Sequence, residues 1–154
     1  MAGTGSFDCG DMRRLQQELE KLQQNTDAFL DACAKELAAR LLRKVIKRTP
    51  VGQYPKGSGK MGGTLRRGWT GSQRASAQAY ADSLAVSHSG GSYVIEITNP
   101  VEYAPYVEYG HRTANHKGWV RGLFMLTISE QEIQESAPRI LEKKIRKFLG
   151  DVSG

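Results

Sequence analysis

The three histidines are the first candidates for chemistry, because an imidazole ring can bind a metal ion or carry a proton. They are His88, His111 and His116. The last two are five residues apart in a polar stretch, with no cysteine or carboxylate at the spacing of a metal-ligand motif. The chain also lacks a dinucleotide fingerprint, a Walker loop and a nucleophile elbow. We therefore expect neither a metal nor a cofactor.

Three glutamates could serve as acid–base groups, namely Glu96, Glu102 and Glu108. Glu96 falls on the polar side of a predicted strand, and the other two flank tyrosines. None has a neighbour with which it would form a nucleophile–base pair. Residues 57–60, Gly-Ser-Gly-Lys, have the residue types of a phosphate loop, but not its full spacing or a preceding strand. We predict surface or interface roles for the glutamates and expect that the protein is not an enzyme.

Charge is unevenly distributed along the chain. The 22 Lys and Arg outnumber the 16 Asp and Glu, which gives a net charge of +6. From Leu37 to Ala81 there are ten Lys and Arg and no Asp or Glu. This asymmetry favours an anionic partner, either nucleic acid or an acidic face of another protein. A solvated basic helix face followed by a flexible loop explains it equally well.

The length of 154 residues predicts a single domain, with residues 1–24 as an N-terminal extension. No apolar run approaches the roughly 20 residues of a membrane helix. Met1–Gly10 has no apolar stretch of the kind found in secretory signals. We expect a protein made in the cytoplasm, with Cys9 and Cys33 as ordinary reduced thiols.

Apolar periodicity predicts two helices before Pro50. The first starts near Asp11, and four apolar residues follow at three- and four-residue steps: Met12, Leu15, Leu19 and Leu22. The second runs from about Asp27 to Arg48, with Asn25 or Thr26 as its N-cap. Residues 51–63 contain five glycines and are typical of a long flexible loop.

Short strands are predicted after this loop. Thr64–Thr70 is the first, anchored by Trp69. Residues 83–88 and 93–98 alternate in polarity, and Ser89-Gly90-Gly91-Ser92 between them is a hairpin turn. The Ala- and Ser-rich residues 73–82 fit either a strand continuation or a loop.

Residues 101–110 read VEYAPYVEYG. Pro105 suits the first turn of a short helix, and Gly110 suits its end. Residues 111–118 are typical of a polar loop. A C-terminal helix follows, with a capping box formed by Ser129 and Glu132, a kink or restart at Pro138, and Gly150 as its C-cap.

A basic stretch and a separate acidic, tyrosine-rich segment in one chain suggest contact between copies of that chain. Tyr, Trp and Arg are enriched in protein interfaces, and head-to-tail contacts close into rings. We therefore predict that a subunit interface includes these fourteen residues: Arg40, Arg43, Lys47, Lys56, Lys60, Arg66, Arg67, Trp69, Glu102, Tyr103, Tyr106, Glu108, Tyr109 and Trp119.

Two stretches carry a resemblance to a known family. Thr49-Pro50-Val51-Gly52, followed by Gly63-Thr64-Leu65-Arg66-Arg67-Gly68-Trp69, resembles a P-V-x-T-G-x-L-R-x-S signature split by an insertion, residues 53–62. Residues 103–110, YAPYVEYG, resemble Y-A-x-x-V-E-[FY]-G-T, with His111 in place of the final Thr. In this order, the two stretches look like the tail-completion and head–tail joining proteins of long-tailed phages.

This resemblance implies an α+β fold, in which a small antiparallel sheet is packed by a long N-terminal helix and a C-terminal helix. It also implies a ring of identical subunits at the neck or upper tail of a virion, in contact with neck, adaptor or tail-tube proteins, with DNA only in transit. A basic nucleic-acid-binding module is the alternative that the charge distribution leaves open.

Overall fold

The computed structural model describes residues 9–71 and 74–153. Helix α1 spans Cys9–Arg48 and helix α5 spans Met125–Ser153. Three short helices lie between them: α2 (Thr64–Gly68), α3 (Ala77–Ser83) and α4 (Ala104–Tyr109). Strand β1 (Ser87–Ser89) pairs with β2 (Ser92–Val94), and β3 (Gly110–Arg112) pairs with β4 (Trp119–Arg121). The α+β class is confirmed, but the predicted single sheet is two separate antiparallel hairpins.

The two long helices run antiparallel against each other. At one end of the contact between the two helices, Lys44 of α1 binds Glu132 of α5. At the other end of this contact, the rings of Phe29 and Phe148 stack with centroids 4.3 Å apart. One face of α1 supplies four of the nine buried core residues in the described part of the chain, namely Ala38, Ala39, Leu42 and Val45. The three- and four-residue steps of these side chains place them on one stripe of the helix. Helices α3 and α5 pack on that stripe.

Helix α1 is continuous, so the prediction of two helices separated near residue 26 is wrong. Neither Asn25 nor Thr26 caps a second helix. Instead, the Thr26 hydroxyl donates to the carbonyl oxygen of Leu22 one turn earlier, at 2.8 Å. No Pro or Gly interrupts residues 11–48, and polar residues alone do not break a helix. The forty residues give a rod about 60 Å long at 1.5 Å per residue.

The middle of the chain contains fewer strands than predicted. Residues 64–68 form a helix rather than a strand, and α3 occupies part of the segment for which strand and loop were the two alternatives. The turn at residues 89–92 is confirmed, since Ser89 faces Ser92 across the hairpin. Each predicted flanking strand is shortened to three residues. Residues 51–63 form no helix or strand, in agreement with the predicted loop.

The ends of the C-terminal helix also differ from the prediction. Helix α5 begins at Met125, so Ser129 is a buried residue within the helix and not its N-cap; its hydroxyl donates to the Met125 carbonyl oxygen at 2.6 Å. Pro138 lies within α5 and does not divide it, and Gly150 precedes its end. Among the residues that the structure describes, no helix is long and apolar enough to cross a membrane.

Candidate subunit interface

The junction at the end of α1 brings together the two halves of the interrupted motif. The Trp69 indole N–H donates to the hydroxyl of Thr49 at 2.7 Å, and that hydroxyl in turn lies 2.6 Å from the Val45 carbonyl oxygen, to which it donates. Both residues are buried, and Met125 at the start of α5 packs beside them. The junction therefore fixes α1, α2 and α5 relative to one another. Trp69 was expected at a subunit interface, but within this chain it is a core residue.

Arg66 braces the same junction from outside. Its guanidinium donates to the Thr49 carbonyl oxygen at 2.7 Å, where α1 ends and a carbonyl has no partner within the helix. Asn99 holds α2 from the other side, because its amide donates to the Leu65 carbonyl oxygen at 2.7 Å. A Cβ on Gly68 would lie 2.2 Å from the Asn99 side-chain oxygen. A larger residue at position 68 would displace the Asn99 side chain from its contact with Leu65.

The second motif contains the cap of helix α5. The Glu108 carboxylate accepts hydrogen bonds from the backbone N–H groups of Leu126 and Thr127, both at 2.9 Å, and from the Thr127 hydroxyl at 2.7 Å. These N–H groups lie in the first turn of α5, where helical partners are lacking and negative charge is favoured. Glu108 is only 5% exposed. The predicted surface position of Glu108 is therefore wrong.

Two glycines allow the chain to pass closely beside this cap. A Cβ on Gly110 would lie 2.4 Å from the Val120 carbonyl oxygen, and a Cβ on Gly122 would lie 2.3 Å from the Glu108 carbonyl oxygen. Gly110 also has φ of +89°, a conformation that side chains disfavour. Both glycines are needed for the β3–β4 hairpin to fold back onto the end of α4. The sequence predicted a polar loop for part of this hairpin.

The three tyrosines of the motif and the nearby Trp119 are exposed. Tyr103, Tyr106 and Tyr109 lie on or beside α4, and Trp119 begins β4 next to it. Their exposed fractions are 44%, 57%, 63% and 63%. We call these four residues the aromatic face. The motif thus has two halves: Ala104, Glu108 and Gly110 are buried in the fold, whereas the tyrosines are available to a partner.

Most of the predicted interface cations contact their own chain. Arg40 pairs with Glu36 at 3.0 Å, and Arg43 donates to the Gln78 side chain at 3.3 Å. Arg67 donates to the Gly62 carbonyl oxygen at 3.1 Å. In the loop, the Lys60 ammonium lies 5.8 Å from the centre of the Tyr54 ring. Lys47 and Lys56 are exposed, as is Glu102 beside the aromatic face.

Glu132 is the main acid of the α1–α5 contact. It binds Lys44 at 2.7 Å and pairs with Arg48, which also donates to the Ser129 hydroxyl. Hydrogen bonds from Arg48 and then Lys44 lower the pKa of Glu132 from 4.5 to about 2. A second acid, Glu36, similarly pairs with Arg40 and Lys144. Part of the basic surface of α1 is therefore matched by acids within the same subunit.

Sequence reasoning missed the role of Glu108 and the partners of Glu132, since both contacts join residues far apart in sequence. A usable signal existed for α2. Leu65 and Trp69 are four residues apart, which places both on one face of a helix. Another existed for α3, where the Ser76 hydroxyl accepts from the Ala79 N–H as an N-cap.

Comparison with known proteins identifies the family. Neither the curated proteins nor the solved structures contain a match. One family model, described as "Bacteriophage HK97-gp10, putative tail-component", matches residues 13–110. The matched region includes both motifs, from the Thr49 junction to Gly110, and covers more than half of the chain. This protein therefore belongs to the HK97-gp10-like family of bacteriophage tail components.

Proposed function

We propose that the chain is a non-enzymatic structural subunit that assembles with its own copies into a ring at the neck or upper tail, where it joins or completes head and tail. The ring contacts neighbouring neck, adaptor or tail-tube proteins, and DNA passes through it only in transit. No cofactor is required. The subunit is made in the host bacterial cytoplasm and ends in the virion.

The aromatic face carries this proposal. Two of its members, Tyr109 and Trp119, are each 63% exposed, although large aromatic side chains are usually buried. Large aromatic side chains left exposed on or beside one short helix indicate an interaction site, and Tyr and Trp supply much of the binding energy in interfaces. Beside this face lies an open hollow of about 210 Å³, lined in part by Ile97, Pro105 and Leu126. A hollow of this kind can receive an anchoring side chain.

An extended segment next to the hollow supports contact between subunits. Residues 95–99 alternate between half-buried and exposed, as a strand does. Ile95 and Ile97 pack on the core, whereas Glu96 and Thr98 face outward. The part of the chain that the structure describes gives this segment no strand partner. Open strand edges bind another chain by strand addition.

A ring follows if these surfaces meet unlike surfaces of the next copy. The aromatic face is carried by α4 and β4, whereas the cations of residues 43–60 are carried by α1 and the loop that follows it, and this loop lies beside Tyr103 within the subunit. Contact of one set with the other set on the next copy would be head-to-tail rather than two-fold. Such contacts close into a ring when the rotation between neighbours permits it. The exposed Lys47 and Lys56 can pair with acids such as Glu102 on a neighbour, and charge pairs of this kind set register more than affinity.

Negative-stain electron microscopy and light scattering of the purified protein test the proposal. Wild-type protein should form closed rings of one size. The double variant Tyr106→Ala/Trp119→Ala should remain monomeric, because it removes two exposed aromatic side chains without opening the core. Leu149→Ala is the matched control, since Leu149 is an exposed apolar residue at the far end of α5. Its rings should be normal. Monomeric wild-type protein at virion-like concentrations contradicts the proposal.

A basic groove between α1 and α5 favours a second candidate, nucleic-acid binding. Its lining includes Arg40, Arg139, Lys143 and Lys147, and it encloses about 440 Å³. Phosphate contacts make binding strongly salt-dependent. If this candidate is correct, isolated monomer binds bare DNA tightly at about 50 mM salt and loses roughly a hundredfold or more in affinity by about 200 mM. Under the ring proposal, the monomer shows only weak DNA binding that does not depend on Lys143 and Lys147.

A further inference from the structure

The first half of α1 exposes a stripe of four large apolar side chains. Met12, Leu15, Leu19 and Leu22 are 51%, 50%, 56% and 43% exposed. They lie on a helix that continues without interruption into the core of the subunit. No segment among the described residues covers them. An exposed apolar stripe adds little to the stability of an isolated, mostly polar helix in water. A partner that covers the stripe is therefore needed to explain its presence.

The spacing of the stripe specifies the kind of partner. Residues 12, 15, 19, 22, 26 and 29 alternate steps of three and four. This is the heptad repeat in which the a and d positions of one helix face another helix in a left-handed coiled coil. Met12 and Leu19 occupy a positions, and Leu15 and Leu22 occupy d positions. A helix therefore fits this stripe better than a sheet or a lipid surface does.

The stripe continues an interface that is already formed in the subunit. Phe29 occupies the d position that follows Leu22. Its ring stacks on the ring of Phe148 in α5. Leu22 lies seven residues before Phe29, about 10 Å away along α1. The seam of α1 is therefore covered by α5 at Phe29, and it is exposed from Leu22 toward the beginning of the helix.

The residues that flank the stripe allow a second copy to be that partner. In a parallel coiled coil, each g residue faces an e residue of the other helix. Here Glu18 would face Gln23, so no like charges meet. Arg13, Arg14, Glu20 and Lys21 fall at b and c positions away from the seam.

We infer that Met12, Leu15, Leu19 and Leu22 form the seam of a parallel coiled coil with the same residues of a second copy. This inference rests on the proposed ring. Subunits related by one rotation axis all point the same way along that axis, so helices that project from neighbouring subunits run parallel. Because a two-stranded coiled coil brings the same residues of two copies together, it joins neighbours in pairs, and a ring that contains it has an even number of subunits. The coiled coil adds a second contact between copies, separate from the aromatic face. Two linked contacts strengthen assembly through effective concentration.

Disulfide trapping in the full-length protein tests this inference. Leu19→Cys in a Cys9→Ser background places one thiol on the seam, and Cys33 stays buried. Mild oxidation should give a disulfide-linked dimer. Paired helices present their thiols at millimolar effective concentration, so trapping at about 10 µM protein should be about a hundredfold faster than by random collision. Gln17→Cys in the same background is the control, since position 17 lies opposite the seam and should trap slowly.

A second pair of variants uses no cysteine. Leu15→Glu/Leu19→Glu should abolish association through α1 while leaving the melting temperature of the monomer unchanged, because both side chains are already exposed. Gln17→Glu/Gln24→Glu adds the same charge on the opposite side and should associate normally.

Electron microscopy of the same samples separates the two proposals. Rings without disulfide trapping of the Leu19→Cys variant overturn the coiled coil and leave the ring proposal standing. Trapping without rings supports the coiled coil and contradicts the ring. Equal rates of disulfide trapping at positions 17 and 19 overturn the inference. Pairing of α1 with a helix of another tail protein, and not with a second copy, also overturns it.

Discussion

The indole N–H of Trp69 donates to the buried hydroxyl of Thr49, which lies twenty positions earlier in the chain, at 2.7 Å. This contact explains how a motif interrupted by an insertion keeps its structure. The insertion lies in the exposed loop, whereas Thr49 and Trp69, on either side of it, meet in the core. Gly62 closes the base of the loop, since a Cβ there would lie 2.0 Å from the Gly52 carbonyl oxygen.

Trp69→Phe should lower the free energy of unfolding by about 1–2 kcal/mol, because the Thr49 hydroxyl loses a buried donor. Trp69→Ala should cost more, roughly 3–5 kcal/mol, since it also leaves a cavity. Urea denaturation measures both values. A double-mutant cycle with Thr49→Val isolates the hydrogen bond. If the two single changes are strictly additive, the bond makes no independent contribution and this interpretation of the junction is wrong.

Glu108→Gln should destabilise the subunit by about 1–3 kcal/mol, because an amide group replaces one of the two oxygens that cap α5. The exposed Glu130 is a matched control, and Glu130→Gln should leave the melting temperature unchanged. The tyrosines of the aromatic face remain in place in both variants. We therefore expect Glu108→Gln to form normal rings well below its melting temperature. Normal stability with loss of rings would instead assign Glu108 to the interface.

The two long helices could be predicted from sequence because their apolar periodicity is sustained over many turns. The break placed at Asn25-Thr26 was wrong for a physical reason: these residues favour caps, but the intact helix is held by Phe29, Leu42 and Val45 farther along. For Thr64–Thr70, the anchoring Trp favoured a strand. Burial of Leu65 and Trp69 on one helical face decided the opposite outcome.

The candidate site was predicted in part. The tyrosines and Trp119 lie on the surface as a potential interface requires, and whether they form one is a prediction still. Trp69 was assigned to the interface because Trp is enriched in interfaces, and Glu108 because it belongs to the acidic, tyrosine-rich segment. The sequence could not show that their polar atoms reach Thr127 and Thr49, since both partners depend on how distant elements pack.

The Glu132 pair predicts how stability depends on pH. Its pKa in the folded chain is about 2, below the ordinary value of 4.5. The stabilisation is therefore complete above about pH 4.5 and is lost as the pH falls from there toward about 2. Glu132→Gln should have lower stability than the wild type at neutral pH, and the difference should shrink across that range. Glu135→Gln, an exposed neighbour, should follow the wild-type curve. A difference that stays constant from about pH 6 to about pH 2 contradicts the assignment.

The last prediction separates the cations that hold the subunit from those available to a neighbour. Arg66 donates to the Thr49 carbonyl oxygen. Arg66→Glu should therefore disrupt the junction and lower the melting temperature of the monomer itself, independently of assembly. Lys56 and Lys60 lie in the exposed loop. Lys56→Glu/Lys60→Glu should leave the melting temperature of the monomer unchanged and block ring formation, if these residues meet an acidic surface of the next copy.

Compensation tests the partner of those two lysines. Glu102 is exposed beside the aromatic face, and we expect it to face the loop of a neighbour. Adding Glu102→Lys to Lys56→Glu/Lys60→Glu should restore part of the ring population, whereas the change Glu130→Lys on α5 should not. Limited proteolysis gives an independent measurement, since residues 51–63 should be cut more slowly in rings than in monomers. Intact rings in the double reversal, with equal cleavage of both forms, would mean that the loop faces solvent or DNA rather than another subunit.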